Sequence, residues 1–109
     1  MYPKELLKGN TEPLLLALLA TEPMYGYQIV KEIQHRSSGY FQFKEGTLYP
    51  ALHRLERAGL IEGAWKASRA GQQRRYYAVT EKGHHELRRK TAVWRHFSKA
   101  VDQVILPAP

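Results

Sequence analysis

Apolar residues recur along this chain with a period that changes from place to place, and each change marks an element. From Pro13 to Ala20 nearly every position is apolar, which predicts a helix buried on most faces. Thr11-Glu12-Pro13 ahead of it offers a capping hydroxyl, an acid and a proline for the first turn. Thr21-Glu22-Pro23 breaks the run. Ile29, Val30 and Ile33 then repeat at helical spacing, so a second helix is expected from about Tyr25 to Ser37-Ser38-Gly39, where glycine can take a left-handed cap. A third helix carries Leu48, Leu52 and Leu55 on one face. Pro50 fits only a first turn or a kink, so regular helix is expected to begin close to Thr47, and Ala58-Gly59 closes it.

After Gly59 the period shortens to two. Leu60 to Ala67 predicts a strand, Ser68 to Gln73 a turn, and Arg74 to Val79 the returning strand. In that strand Arg75, Tyr77 and Val79 share one face, and Arg74, Tyr76 and Ala78 the other. Thr80 can cap a last helix that reaches about Leu106, with Pro107 as its stop. Leu87, Trp94 and Val101 are spaced by sevens there, as are Phe97 and Val104, and Val93, Ala100 and Ile105 widen the stripe. So wide a seam needs a covering surface. The same chain's core could provide it, or the leucine-rich first helix of a second copy through Leu15 and Leu18. The expected fold is mainly α with a small β-hairpin: a winged helix-turn-helix over residues 1–80, then a C-terminal dimerisation helix and tail over 81–109, one compact domain overall.

The 109 residues suit one domain. A net charge of +7 points to an acidic partner: nucleic acid, an anionic membrane or acidic proteins. From Lys44 to Arg75 seven basic residues face three acidic ones, so the charge gathers on the third helix and the hairpin. Cysteine is absent, which excludes disulfides and thiol chemistry. The run from Pro13 to Ala20 is far short of the roughly 20 residues a membrane span needs, and the N-terminus lacks the order of a signal peptide. A cytoplasmic protein without a membrane role is expected. The histidines (His35, His53, His84, His85, His96) form no metal-binding spacing, and adjacent His84 and His85 point about 100° apart on a helix. No metal, no cofactor and no catalysis is expected, since the chain has no nucleophile elbow, phosphate-cradling loop or placed pair of acids.

With its leucines turned inward, the third helix presents Thr47, Tyr49, His53, Arg54 and Arg57 outward. Such side chains reach base edges and phosphates, although any solvated helix face can look similar. The hairpin narrows the choice. Arg69, Gln72, Gln73, Arg74 and Arg75 lie on or beside one turn, where they can bind phosphates or enter a minor groove. A helix followed by a basic hairpin is the order of a winged DNA-binding domain.

Met24-Tyr25-Gly26-Tyr27-Gln28-Ile29, Glu45-Gly46-Thr47-Leu48-Tyr49-Pro50, Leu55-Glu56-Arg57-Ala58-Gly59-Leu60-Ile61, Arg75-Tyr76-Tyr77 and Thr80-Glu81-Lys82-Gly83 closely resemble the PadR family of bacterial transcriptional regulators. The resemblance covers about residues 10 to 106 and suits the compact subfamily with a single C-terminal helix. It implies a homodimeric, sequence-specific regulator, expected to be a repressor, that sets two third helices in successive major grooves of a pseudo-palindromic operator in double-stranded DNA. Residues matching the family's DNA-contacting positions are Tyr25, Gly26, Tyr27, Thr47, Tyr49 and His53, with Gln73, Arg74 and Arg75 on the wing. Lys44 and Arg54 join them as basic residues of the same stretch. A glycine at 26 would let a helix-terminal amide approach phosphate. The expected dimer interface is Leu15, Leu18, Leu87, Trp94, Phe97, Val101 and Val104. Trp94 also matches a tryptophan that lines an interfacial cavity in multidrug-binding members. Trp94, Val93, Phe97 and Lys90 are therefore candidate contacts for a planar aromatic effector; otherwise Trp94 only fills the interface. The competing readings are a winged-helix protein-interaction module and a non-specific chromosome binder, which scrambled duplexes would separate from an operator-specific regulator.

Overall fold

A computed structural model describes residues 9–106. The elements run α1 (Thr11–Leu19), β1 (Met24–Tyr25), α2 (Gly26–Arg36), α3 (Glu45–Arg57), β2 (Ile61–Ala67), β3 (Gln73–Val79) and α4 (Glu81–Ile105). The expected stop at Pro107 lies outside the described residues. The chain is mainly helical, with one small antiparallel sheet in the order β1-β3-β2.

α1 is the centre of the packing. Leu15, Leu16, Leu18 and Leu19 are all buried, and the helix meets α2, α3, β3 and α4. This corrects one expectation. Leu15 and Leu18 are 0% and 3% exposed within their own chain, so they belong to its core and offer a second copy no surface. A helix this apolar is central because several other elements are needed to bury most of its faces; Ala17 alone of its run from Leu14 to Leu19 is exposed. Ile29, Ile33, Leu48, Leu52, Leu55, Ile61 and Tyr77 join α1 in the core with Met24, Phe43, Ala51 and Leu60, each large aliphatic contributing roughly 1.5–3 kcal/mol by burial.

Three local details differ from the sequence pattern. Asn10 holds the N-cap position of α1 without a side-chain cap bond, and Thr11 is already helical. α3 begins at Glu45, two residues ahead of Thr47, and Pro50 lies inside it. The bond that proline cannot donate would have gone to the carbonyl of Gly46, an exposed residue. Beyond the expected hairpin there is a third strand, β1, which pairs Met24 with Tyr77 and Tyr25 with Tyr76. Two residues are too few to display an alternation. Tyr25 closes β1 and opens α2, its N–H donating to Gln28 Oε1 at 3.1 Å.

The start of α4 is fastened to the end of α3. Gly59 ends α3 with φ +76°. The Thr80 hydroxyl accepts from the Gly83 N–H at 3.0 Å and donates to the Gly59 carbonyl at 2.7 Å. Lys82 Nζ donates to the Ala58 carbonyl at 2.8 Å, capping α3. Gly83 is buried, and a Cβ there would run into the Leu60 carbonyl. α4 therefore leaves the body from a fixed root. Leu87 still packs partly on the core, whereas Val93, Trp94, Phe97, Val104, Ile105 and Leu106 are exposed.

Candidate nucleic-acid interface

α3 turns Leu48, Ala51, Leu52 and Leu55 into the core, which leaves Thr47, Tyr49, Pro50, His53, Arg54 and Arg57 on its open side. Tyr49, Pro50, His53, Arg54 and Arg57 line one shallow depression along the helix. Lys44 stands exposed at the N-cap. Arg54 meets Glu12 of α1 at 3.3 Å, with both side chains substantially exposed. Such a pair is weak, and a phosphate can displace the carboxylate.

Tyr49 is placed by α2 as much as by α3. Its ring lies over Gly26, where a Cβ would collide with the phenol hydroxyl and stand 3.0 Å from Cζ. Gly26 is buried. The small residue here makes room for an aromatic side chain of α3, a reason that chain order alone does not reveal. Tyr25 is half-buried, edge-on to Tyr76 at 5.4 Å, with the Arg74 guanidinium 4.3 Å from its ring centroid. Tyr27 is exposed, with the Lys31 ammonium 5.3 Å from its ring.

The two wing arginines part company. Arg74 lies on the outer face of the sheet over Tyr25 and donates to Gln72 at 3.0 Å. Arg75 lies on the inner face and meets Glu56 of α3 at 2.6 Å. Its guanidinium crosses Gly63, where a Cβ would be 2.6 Å from Nε. The expected free phosphate contact at Arg75 is thus engaged inside the chain, because a carboxylate on α3 stands within its reach. Gln73 is exposed. Burial pushes the Tyr77 phenol above its ordinary value of 10.0, partly opposed by nearby Arg75.

On α4 the candidate effector residues do come together. A hollow of about 270 Å³ is lined by Lys90, Val93, Trp94 and Phe97, joined by Arg89 and by Gly9, Asn10 and Pro13 at the start of α1. The Trp94 and Phe97 rings lie 6.0 Å apart at 36°. Arg89 pairs with Glu86, and its hydrogen bond holds that carboxyl below the usual range. The share of α1 in this hollow had no sequence signal, since Pro13 and Asn10 read as helix-start residues. Among the described residues no three His, Cys, Asp or Glu side chains gather as metal ligands, and no helix is long and apolar enough to cross a membrane.

A model of the transcriptional regulator PadR-like family matches residues 15–89. A structure of a PadR-like transcriptional regulator from Bacillus cereus superposes with a TM-score of 0.84 at 32% identity, covering 95% of this chain and 99% of that one. A transcriptional regulator from Clostridium thermocellum gives 0.84 at 29% identity, covering 93% and 98%. A PadR family regulator from Clostridium difficile gives 0.75 at 35% identity, covering 86% and 96%. An uncharacterized protein of Lysinibacillus sphaericus is 31% identical over 102 residues, 94% of each chain.

Proposed function

The chain belongs to the PadR-like family of transcriptional regulators, which are not enzymes, and on that premise we propose that it is a homodimeric repressor acting on a pseudo-palindromic operator in the bacterial cytoplasm. The observation that carries the reading is the pairing of two unlike surfaces. One is the open, basic side of α3, with Thr47, Tyr49, His53 and Arg54 available to a duplex. The other is the bare apolar length of α4, with Trp94 53%, Phe97 60% and Val104 80% exposed. A helix so apolar and so uncovered calls for a protein surface, and a two-fold partner supplies one.

In this reading Leu87, Trp94, Phe97, Val101 and Val104 form the seam, and Leu15 and Leu18 take no part. The dimer holds its α3 helices at a separation suited to half-sites one turn apart, about 34 Å. A planar aromatic effector seated against Trp94, Val93, Phe97 and Lys90 would tilt α4. The bonds from Thr80 and Lys82 to the end of α3 would carry that tilt to the α3 spacing and break register with the grooves. Selection of bound duplexes from a random pool tests the proposal. Recovery of an inverted repeat with half-sites one turn apart supports it. Recovery of unrelated sequences, bound as tightly as scrambled ones, refutes operator-specific repression.

A further inference from the structure

Trp65 is a large apolar side chain that neither the core nor the α4 seam uses. It lies on β2 opposite Arg75 of β3 and is 65% exposed. The ring is nevertheless held. The Arg75 guanidinium stands 5.9 Å from its centroid, and Glu56 of α3 fixes that same guanidinium at 2.6 Å. Gly63, two residues back on the same face of β2, leaves the space that this bridge occupies, since a Cβ would be 2.6 Å from Arg75 Nε. Residues of α3, β2 and β3 thus brace the indole from one side, next to the helix that presents Tyr49 and His53, and leave its other side bare.

The surroundings say what can cover it. From Gly63 to Arg75 there is no acidic residue; Arg75 stands on the ring's own face and Arg69 at the turn, while Lys66 and Arg74 turn to the opposite face beside Tyr76 and Tyr25. An apolar partner would have to strip those cations of water. A polyanion with an apolar sugar wall suits both the ring and the basic wing that carries it. The site is also continuous with the α3 face through the Glu56–Arg75 bridge. We infer that Trp65 is a DNA-contacting residue of the wing, seated on the sugar–phosphate wall beside the groove that α3 enters, and that Arg75 positions the ring. This rests on the DNA-binding reading above.

The test uses the full chain and a duplex selected from the random pool. Trp65→Ala weakens binding about tenfold, as loss of roughly 60 Å² of apolar contact does, and Trp65→Phe stays within about threefold of the parent because most of that apolar face remains. The slope of binding against salt is unchanged in both, since no cation is removed. Arg75→Ala also weakens binding and also keeps the slope. With 5-fluorotryptophan incorporated, the two tryptophans give two fluorine resonances, assigned with Trp65→Phe, and the Trp65 signal moves when duplex is added. A Trp65→Ala variant that binds like the parent, or a Trp65 signal that stays put, overturns the inference. So does a Trp65→Ala variant whose dimerisation fails in sedimentation, which would place the ring between copies. A fall of about one in the salt slope of Arg75→Ala makes Arg75 a phosphate contact and removes its positioning role. A parent chain that binds no duplex defeats the DNA-binding reading itself, a result distinct from all of these.

Discussion

Gly26→Ala is the sharpest probe of how the DNA-facing surface is assembled. The new methyl would occupy the place of the Tyr49 hydroxyl and stand 3.0 Å from Cζ and 3.3 Å from Cε1. If the ring stayed, the overlap would cost roughly 1–3 kcal/mol as overpacking. Tyr49 is 45% exposed, so it has an exit toward solvent. Swinging out would forfeit about half of the burial of an aromatic side chain, on the order of 100 Å² or about 2.5 kcal/mol. The better helix propensity of alanine returns up to about 1 kcal/mol. The net loss is then about 1–2 kcal/mol, which a domain of ordinary stability survives. The phenol hydroxyl, however, leaves its place beside the start of α2. Losing one hydrogen bond to DNA costs about 1 kcal/mol, or roughly fivefold in affinity. Thermal melting measures the first effect and fluorescence anisotropy with a selected duplex the second. The decisive comparison repeats Gly26→Ala in a Tyr49→Ala background, where the space is empty and both penalties vanish. An equal loss of affinity in both backgrounds would refute the steric account, and would return Gly26 to the role of admitting a phosphate to the helix amide.

Gly83→Ala behaves differently, because its methyl meets the Leu60 carbonyl and lies 2.7 Å from Val79 Cγ1. Backbone cannot step aside as an exposed ring can, so a loss of about 3 kcal/mol or more is expected in urea denaturation; a near-neutral variant contradicts the fixed root of α4. On the proposed dimer, Phe97→Asp on the exposed α4 stripe shifts the sedimentation equilibrium toward monomer while the melting temperature of the monomer holds, and an equilibrium equal to the parent's removes α4 from the proposed interface. The raised Tyr77 pKa means that the fold favours the protonated phenol. Its stability contribution is complete below the ordinary value of 10.0 and is lost as pH rises toward the folded value. Denaturation midpoints between about pH 9 and 11 fall more steeply for the parent than for Tyr77→Phe, and equal slopes count against the burial effect.

Much of the architecture is written in local periodicity. The inward leucines of α3, the all-round apolar α1 and the alternation in β3 each state how a side chain is turned, because a helix repeats every 3.6 residues and a strand every two. The open face of α3 follows by subtraction, so the exposure of Thr47, Tyr49, His53 and Arg54 can be read from the sequence. Periodicity does not state which surface an inward side chain meets. Leu15 and Leu18 fit a partner's seam as well as their own core, and only the packing of four other elements around α1 decides between them. Arg74 and Arg75 are neighbours in the chain with the same charge, yet the pleat sends one to Tyr25 and the other to Glu56, 19 residues away. β1 exists only because β3 offers it an edge, and Gly26 is confined by a tyrosine 23 positions later in the chain. Such long-range pairings depend on distances across space, which the order of residues along the backbone does not encode in any local pattern.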